Sequence, residues 1–97
     1  MRYRFAPDAR QEFIDAVQWY LVEAGSTIAE HFDWAVDRAL GLLVIMPSIG
    51  TRSYPGVRTW ALKVFPYRVV YRVEADEIVV IAIAHQSRAP TYWRGRH

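Results

Sequence analysis

Seven apolar residues run without a break from Ile78 to Ala84. Successive side chains of a strand point to opposite faces, so Ile78, Val80 and Ala82 fall on one face and Val79, Ile81 and Ile83 on the other. A strand apolar on both faces belongs at the centre of a sheet, with something covering each side. The segment Glu77–Ala84 is therefore read as a central strand, and the rest of the chain must supply its neighbours and two covers.

The neighbours are legible upstream. In Tyr67–Glu74, Tyr67, Val69, Tyr71 and Val73 share one face, while Arg68, Val70, Arg72 and Glu74 share the other, so one face is core and the other largely polar. Val57–Phe65 reads as a further strand. Pro66 and Ala75-Asp76 separate these three segments at spacings suited to an antiparallel meander. Residues 47–56 hold two Pro and two Gly in ten positions and are read as the main loop, without regular structure.

The covers come from the first half. Arg2–Phe5 alternates, with Tyr3 and Phe5 on one side, as a short half-buried strand does. Pro7 suits the first helical position, and Asp8 and Glu12 place negative charge on the first turns. Ala9, Phe13, Ala16, Val17, Tyr20 and Ala24 then form one apolar stripe, with Gly25 as a left-handed stop. Ser26 is expected to cap a second helix carrying Ile28, Phe32, Ala35, Val36, Ala39, Leu40 and Leu43, which ends before Pro47. The short link of Gly25 and Ser26 makes the two helices an antiparallel hairpin.

The expected fold is α+β, a two-layer β-α-α-β-β-β arrangement with the helical hairpin on one face of a mainly antiparallel sheet. The hairpin shields one face only. The other is expected to be covered partly by the tail from His85 onward and partly by a separate chain, because a monomer rarely exposes a large apolar patch.

Composition narrows the class. At 97 residues a single domain over 1–97 is expected. With 53% apolar and 23% charged residues the chain is too apolar for disorder, and it has no apolar run long enough to cross a bilayer, so no membrane partner is expected. No apolar leader follows Met1-Arg2-Tyr3-Arg4, and there is no cysteine for disulfides or thiolate metal sites. A cytoplasmic location is the expectation. There is no glycine-rich phosphate loop, serine nucleophile motif or metal-spaced histidine cluster, and His31 and Asp33 do not share a helical face. Neither a metal nor a cofactor is expected.

Charge is segregated along the chain. Residues 1–48 carry four Arg against seven acids, a net of −3, whereas residues 49–97 carry a net of +5. Eleven of the twelve basic residues are Arg, whose planar fork binds phosphate or carboxylate through paired hydrogen bonds. An anionic partner is therefore expected for the second half. The segment His85–His97 concentrates two His, three Arg, Tyr92 and Trp93 directly after the central strand.

That tail, together with Phe65-Pro66-Tyr67-Arg68-Val69-Val70-Tyr71-Arg72-Val73, carries a family resemblance. With Phe5-Ala6-Pro7, Ala9, Pro47-Ser48-Ile49-Gly50, His85-Gln86-Ser87-Arg88, Pro90, Tyr92 and Trp93 in order, the chain resembles toxins of the RelE/ParE superfamily of bacterial type II toxin–antitoxin modules. The resemblance implies the RelE-like fold and a growth-inhibiting toxin, of the kind associated with plasmid stabilisation. It also implies one of two activities, either ribosome-dependent cleavage of mRNA without a metal or inhibition of DNA gyrase.

Metal-free RNA cleavage needs a base, an acid and cations around the phosphorane. The resemblance assigns Arg68 to the family arginine of the third strand and Tyr92 to the tail tyrosine. The tail arginine falls on Gln86 or Ser87, leaving Arg88 one or two positions late, and the paired lysines that RelE-like enzymes carry on the preceding strand are missing, Thr59–Lys63 offering a single lysine that does not align with them. The nuclease candidates are Arg68, Arg88, Tyr92 and His85, an incomplete set, so the ParE-like gyrase inhibitor is preferred. An inactive module kept for antitoxin binding is a third alternative.

The candidate partner-binding residues are Arg58, Trp60, Arg68, Arg72, Trp93 and Arg94. Each has a plainer role available: Arg72 can pair with Glu74 on a solvated face, His85 can close a strand, and Trp60 and Trp93 can be core. The resemblance implies a cognate antitoxin whose disordered acidic tail folds on binding, giving a hetero-oligomer. That tail is expected to wrap the helical hairpin and reach the sheet face bearing Arg68 and Arg72.

Overall fold

The computed structural model describes residues 1–96; His97, the end of the arginine-rich tail, lies outside the described residues. The elements are β1 (Arg2–Phe5), α1 (Pro7–Ala24), α2 (Ser26–Ile45), β2 (Thr51–Tyr54), β3 (Val57–Ala61), β4 (Tyr67–Glu74) and β5 (Glu77–His85). They build an α+β fold with both helices on one face of a five-stranded mixed sheet ordered β1-β5-β4-β3-β2. β1 runs parallel to β5, and the remaining pairs are antiparallel. No helix is long and apolar enough to cross a membrane.

Several local expectations are corrected. Thr51–Tyr54 is a strand within the presumed loop, because Pro55-Gly56 forms a hairpin turn between it and β3, with Tyr54 paired to Val57. Gly56 has φ +77, the value wanted at the second central position of a turn whose first is proline. β3 stops at Ala61 rather than Phe65, since Val64 turns the chain at φ +64 and Phe65 swings into the aromatic cluster of Tyr20, Phe32 and Tyr67. A β-branched residue at positive φ is strained, and Val64 is held fully in solvent.

The helix junction also differs. Gly25 alone links α1 and α2, at φ 92 and ψ 170, a conformation open to glycine rather than the left-handed helical one. Ser26 is the first residue of α2 and makes no side-chain cap.

The helix-facing core joins Ala9, Ala16 and Tyr20 of α1 and Phe32, Val36, Leu40 and Leu43 of α2 to Val69, Tyr71, Ile78, Val80 and Ile83 of the sheet. The opposite face gathers Val57, Val70, Val79, Ile81, Ala82, Ala84 and Trp93. Ile83 and Ala82 thus sit on faces opposite to those expected. The pairing runs from Val70↔Ala82 to Tyr71↔Val80 and skips Ile81, so a β-bulge adds one residue to β5 and reverses its alternation from there on.

The second cover is the chain's own tail. Successive turns, closed by Arg88 N–H to the His85 carbonyl, Tyr92 to Ala89, Arg94 to Thr91 and Arg96 to Trp93, fold residues 86–96 back across the sheet. Trp93 is 3% exposed, and the far-face residues Val79, Ile81 and Ala82 are at most 2% exposed without any other chain. The expectation that a partner must complete this cover is therefore wrong: the Trp93 indole, with Tyr92 packed beside it, fills the area that the strand pattern left open. Exposed apolar side chains lie elsewhere, with Trp19 and Val22 on α1 and Trp34 and Ile45 on α2.

Candidate functional site

The fold-back of the tail creates a cavity of about 340 Å³ with two walls. The sheet contributes Ser53, Thr59, Arg68, Val70, Ala84 and His85, and the tail contributes Gln86, Arg88, Ala89, Pro90 and Trp93. Arg68 faces it because alternation puts that residue, with Val70 and Arg72, on the tail side of β4. Among the described residues neither Arg68 nor Arg88 pairs with a carboxylate. Two guanidinium groups free of counter-ions on one concave surface attract phosphate or carboxylate.

Arg88 is held against the face of the Tyr92 ring, its guanidinium carbon 4.0 Å from the centroid. The Tyr92 hydroxyl donates to Glu12 Oε2 at 2.7 Å. Burial and the neighbouring Glu12 carboxylate push this phenol well above its ordinary range. It is therefore a poor general base and a hydroxyl already committed to a partner.

His85 also has structural work. Its Nδ1 accepts the Ser87 N–H at 3.0 Å, so a neutral ring carries its proton on Nε2, and the ring stands edge-on to Tyr67 at 4.9 Å. It starts the tail's first turn as well as lining the cavity.

The six partner-binding candidates are not brought together. Arg58 donates to the Ser48 and Gly50 carbonyls at 3.0 and 2.8 Å and so ties down the loop before β2. Trp60 packs against the helix-side core. Arg72 is paired with Glu74, which lowers the Glu74 carboxyl from its ordinary value. At a rise of about 3.3 Å per residue, the Arg68 and Arg72 backbones stand roughly 13 Å apart, and Arg68 alone of the two reaches the cavity lining. Trp93 is core, and Arg94 lies over the Tyr54 ring at 4.5 Å. Of the six, Arg68 and Trp93 line the cavity, and Arg68 has no carboxylate partner among the described residues.

The sequence reading missed Glu12 and Arg96. Arg96 forms a two-pronged ion pair with Glu12, Nη1 to Oε1 at 2.8 Å and Nη2 to Oε2 at 3.2 Å, and approaches Asp8 at 3.6 Å. Burial, the largest single influence, would lower the Arg96 pKa, but the hydrogen bond and charge of Glu12, with Tyr92 and Asp8, together outweigh it and the net shift is upward. These partners are 84 positions apart, so no local pattern reports them. Among the described residues no group of three or more His, Cys, Asp or Glu side chains is placed to hold a metal ion.

Comparison with known proteins supplies the family. A family model described as "ParE toxin of type II toxin-antitoxin system, parDE" matches residues 3–90. A solved structure from P. aeruginosa, titled "Chromosomal ParDE TA system", is similar in fold, with a TM-score of 0.76 and 24% identity over 88% of this chain and 95% of the other. Among curated proteins nothing matches.

Proposed function

Since the chain belongs to the ParE toxin family of type II toxin–antitoxin modules, we propose that it inhibits DNA gyrase and is neutralised by a cognate antitoxin. The observation that carries this reading is the chemistry of the cavity. It offers two guanidinium groups with no carboxylate partner among the described residues for an anionic contact, while the Tyr92 phenol is committed to Glu12 and lies outside the lining. His85 in the lining has its Nδ1 taken up by the Ser87 N–H, so the surface is better equipped to bind an anion than to move protons. The tail wall supplies half of it, which makes the C-terminal segment the effector element.

The P. aeruginosa relative comes from a ParDE toxin–antitoxin system, which supports an antitoxin partner here. An antitoxin tail has apolar anchors available at Trp19 and Trp34, exposed by 57% and 60%, and a cation for its carboxylates at Arg68. Both sheet faces being covered, this contact would be made on the helical hairpin and at the cavity mouth.

In a supercoiling assay with purified gyrase, the free toxin is expected to block supercoiling and leave cleaved DNA, and the antitoxin to restore activity. Normal supercoiling with the toxin in excess would remove the gyrase target. A second reading, cleavage of ribosome-bound mRNA, draws on the convergence of Arg68, Arg88 and His85 on one cavity. In that case ribosome-bound messages are cut and Arg68→Ala abolishes the cutting.

A further inference from the structure

β1 ends at Phe5, opposite Val80, so the edge of β5 from Ile81 onward has no strand beside it. Two side chains stand in for one. Glu12 Oε1 accepts the Ile83 N–H at 3.0 Å, and Arg96 Nη1 donates to the Ile81 carbonyl, the bulge residue, at 3.1 Å. The same carboxylate takes both prongs of Arg96 and the Tyr92 hydroxyl, so four hydrogen bonds from β5 and the tail meet on one residue of α1. Tyr92, held in this way, offers one ring face on which Arg88 rests.

We infer that Glu12 is a positioning residue for the toxin's effector surface: it fixes Tyr92 and, through that ring, sets the Arg88 guanidinium in the wall of the cavity. Glu12 itself lines no part of that cavity. The inference rests on reading the tail-walled cavity as the surface that meets the target. Its physical basis is pre-organisation, because a long arginine side chain on a run of turns would otherwise lose rotamer freedom on every encounter. Trp93 holds the tail to the sheet by packing, whereas the Glu12 clasp selects where its polar groups point.

The test uses the isotope-labelled full chain with Glu12→Gln, which keeps an oxygen for the Ile83 N–H while dropping the charge, and Tyr92→Phe, which keeps the ring but not the hydroxyl. In wild type the Arg88 δ-methylene protons are expected to be shifted upfield by the Tyr92 ring. Both variants should lose that shift and exchange the Arg94 and Arg96 amides roughly tenfold faster, with Val79 and Val80 amides unchanged. Induced growth arrest should weaken in both, and in Arg88→Ala without any change in tail exchange. An Arg88 shift that survives both substitutions overturns the proposal, as does its loss with growth arrest unaltered. If one variant fails to fold, the other decides. Wild-type growth arrest without gyrase inhibition would sink the gyrase target alone, since the ring-current shift and exchange read the clasp without reference to any target.

Discussion

The Tyr71 hydroxyl accepts the Gly50 N–H at 2.9 Å and donates to the Pro47 carbonyl at 2.7 Å, so a core tyrosine of β4 pins the loop after α2. The approach is so close that a Cβ on Gly50 would lie 2.8 Å from ring carbon Cε1 and closer still to the hydroxyl. Gly50→Ala should cost about 1–3 kcal/mol, because the ring is fully buried and cannot retreat. Tyr71→Phe should cost a similar amount by stranding two backbone groups. The two should not add: Tyr71→Phe removes the nearest clash, with the hydroxyl, and leaves only the tight contact with the ring carbons, so the double variant should be more stable than the sum implies. Urea denaturation of the four proteins checks this, and strict additivity would refute the contact.

Trp93 offers a second test, of the claim that the chain seals its own sheet. Trp93→Ala should destabilise by about 3–5 kcal/mol and expose Val57, Val70 and Ile81 to water. The expected signs are binding of a hydrophobic dye and concentration-dependent self-association, measured by fluorescence and sedimentation. A variant as stable as wild type and no more prone to self-association would mean that the far face is not covered by this residue.

Much of the fold was legible because its signals are local. The unbroken apolar run at Ile78–Ala84 marked a strand covered on both faces, and the helical stripes from Ala9 to Leu43 marked the residues that cover one of them. What stayed hidden depends on distant partners or on one extra residue. The Ile81 bulge has no signature of its own, yet it reverses the faces of Ala82 and Ile83. Thr51–Tyr54 was lost because Pro55 and Gly56 were read as loop formers rather than as the centre of a turn with pairing flanks. At the site, three of the four nuclease candidates, Arg68, Arg88 and His85, line one cavity, while Tyr92 lies outside its lining. Glu12 was read as a first-turn charge, since nothing near it predicts a tail 84 residues away.

Alkaline pH gives a third prediction. Burial raises the pKa of Tyr20, Tyr67, Tyr71 and Tyr92 above the ordinary phenol value of 10.0, with Glu12 adding to the effect at Tyr92. Above that value the unfolded chain releases phenolic protons that the folded chain keeps, so it binds fewer protons than the native state and stability falls as pH rises. Below it, the contribution is fully present. Denaturation series between about pH 9 and pH 12 should show this decline, shallower in Tyr92→Phe. A stability that is flat or rising across that window contradicts the buried placement of these hydroxyls.

The last prediction separates two arginines that the sequence alone treats as equals. Arg68 lines the cavity with no carboxylate partner among the described residues, while Arg72, on the same face, is engaged by Glu74. A charge-assisted hydrogen bond to a partner is worth about 1.5–3 kcal/mol, whereas an exposed ion pair with Glu74 is worth about 0–1 kcal/mol. Arg68→Ala should therefore raise the toxin concentration for half-maximal gyrase inhibition by about tenfold or more, and Arg72→Ala should change it by no more than about twofold. Titration with the antitoxin should rank the two in the same order. Equal losses would mean that both side chains reach one extended anion, and Arg72 would have to leave Glu74 to do so.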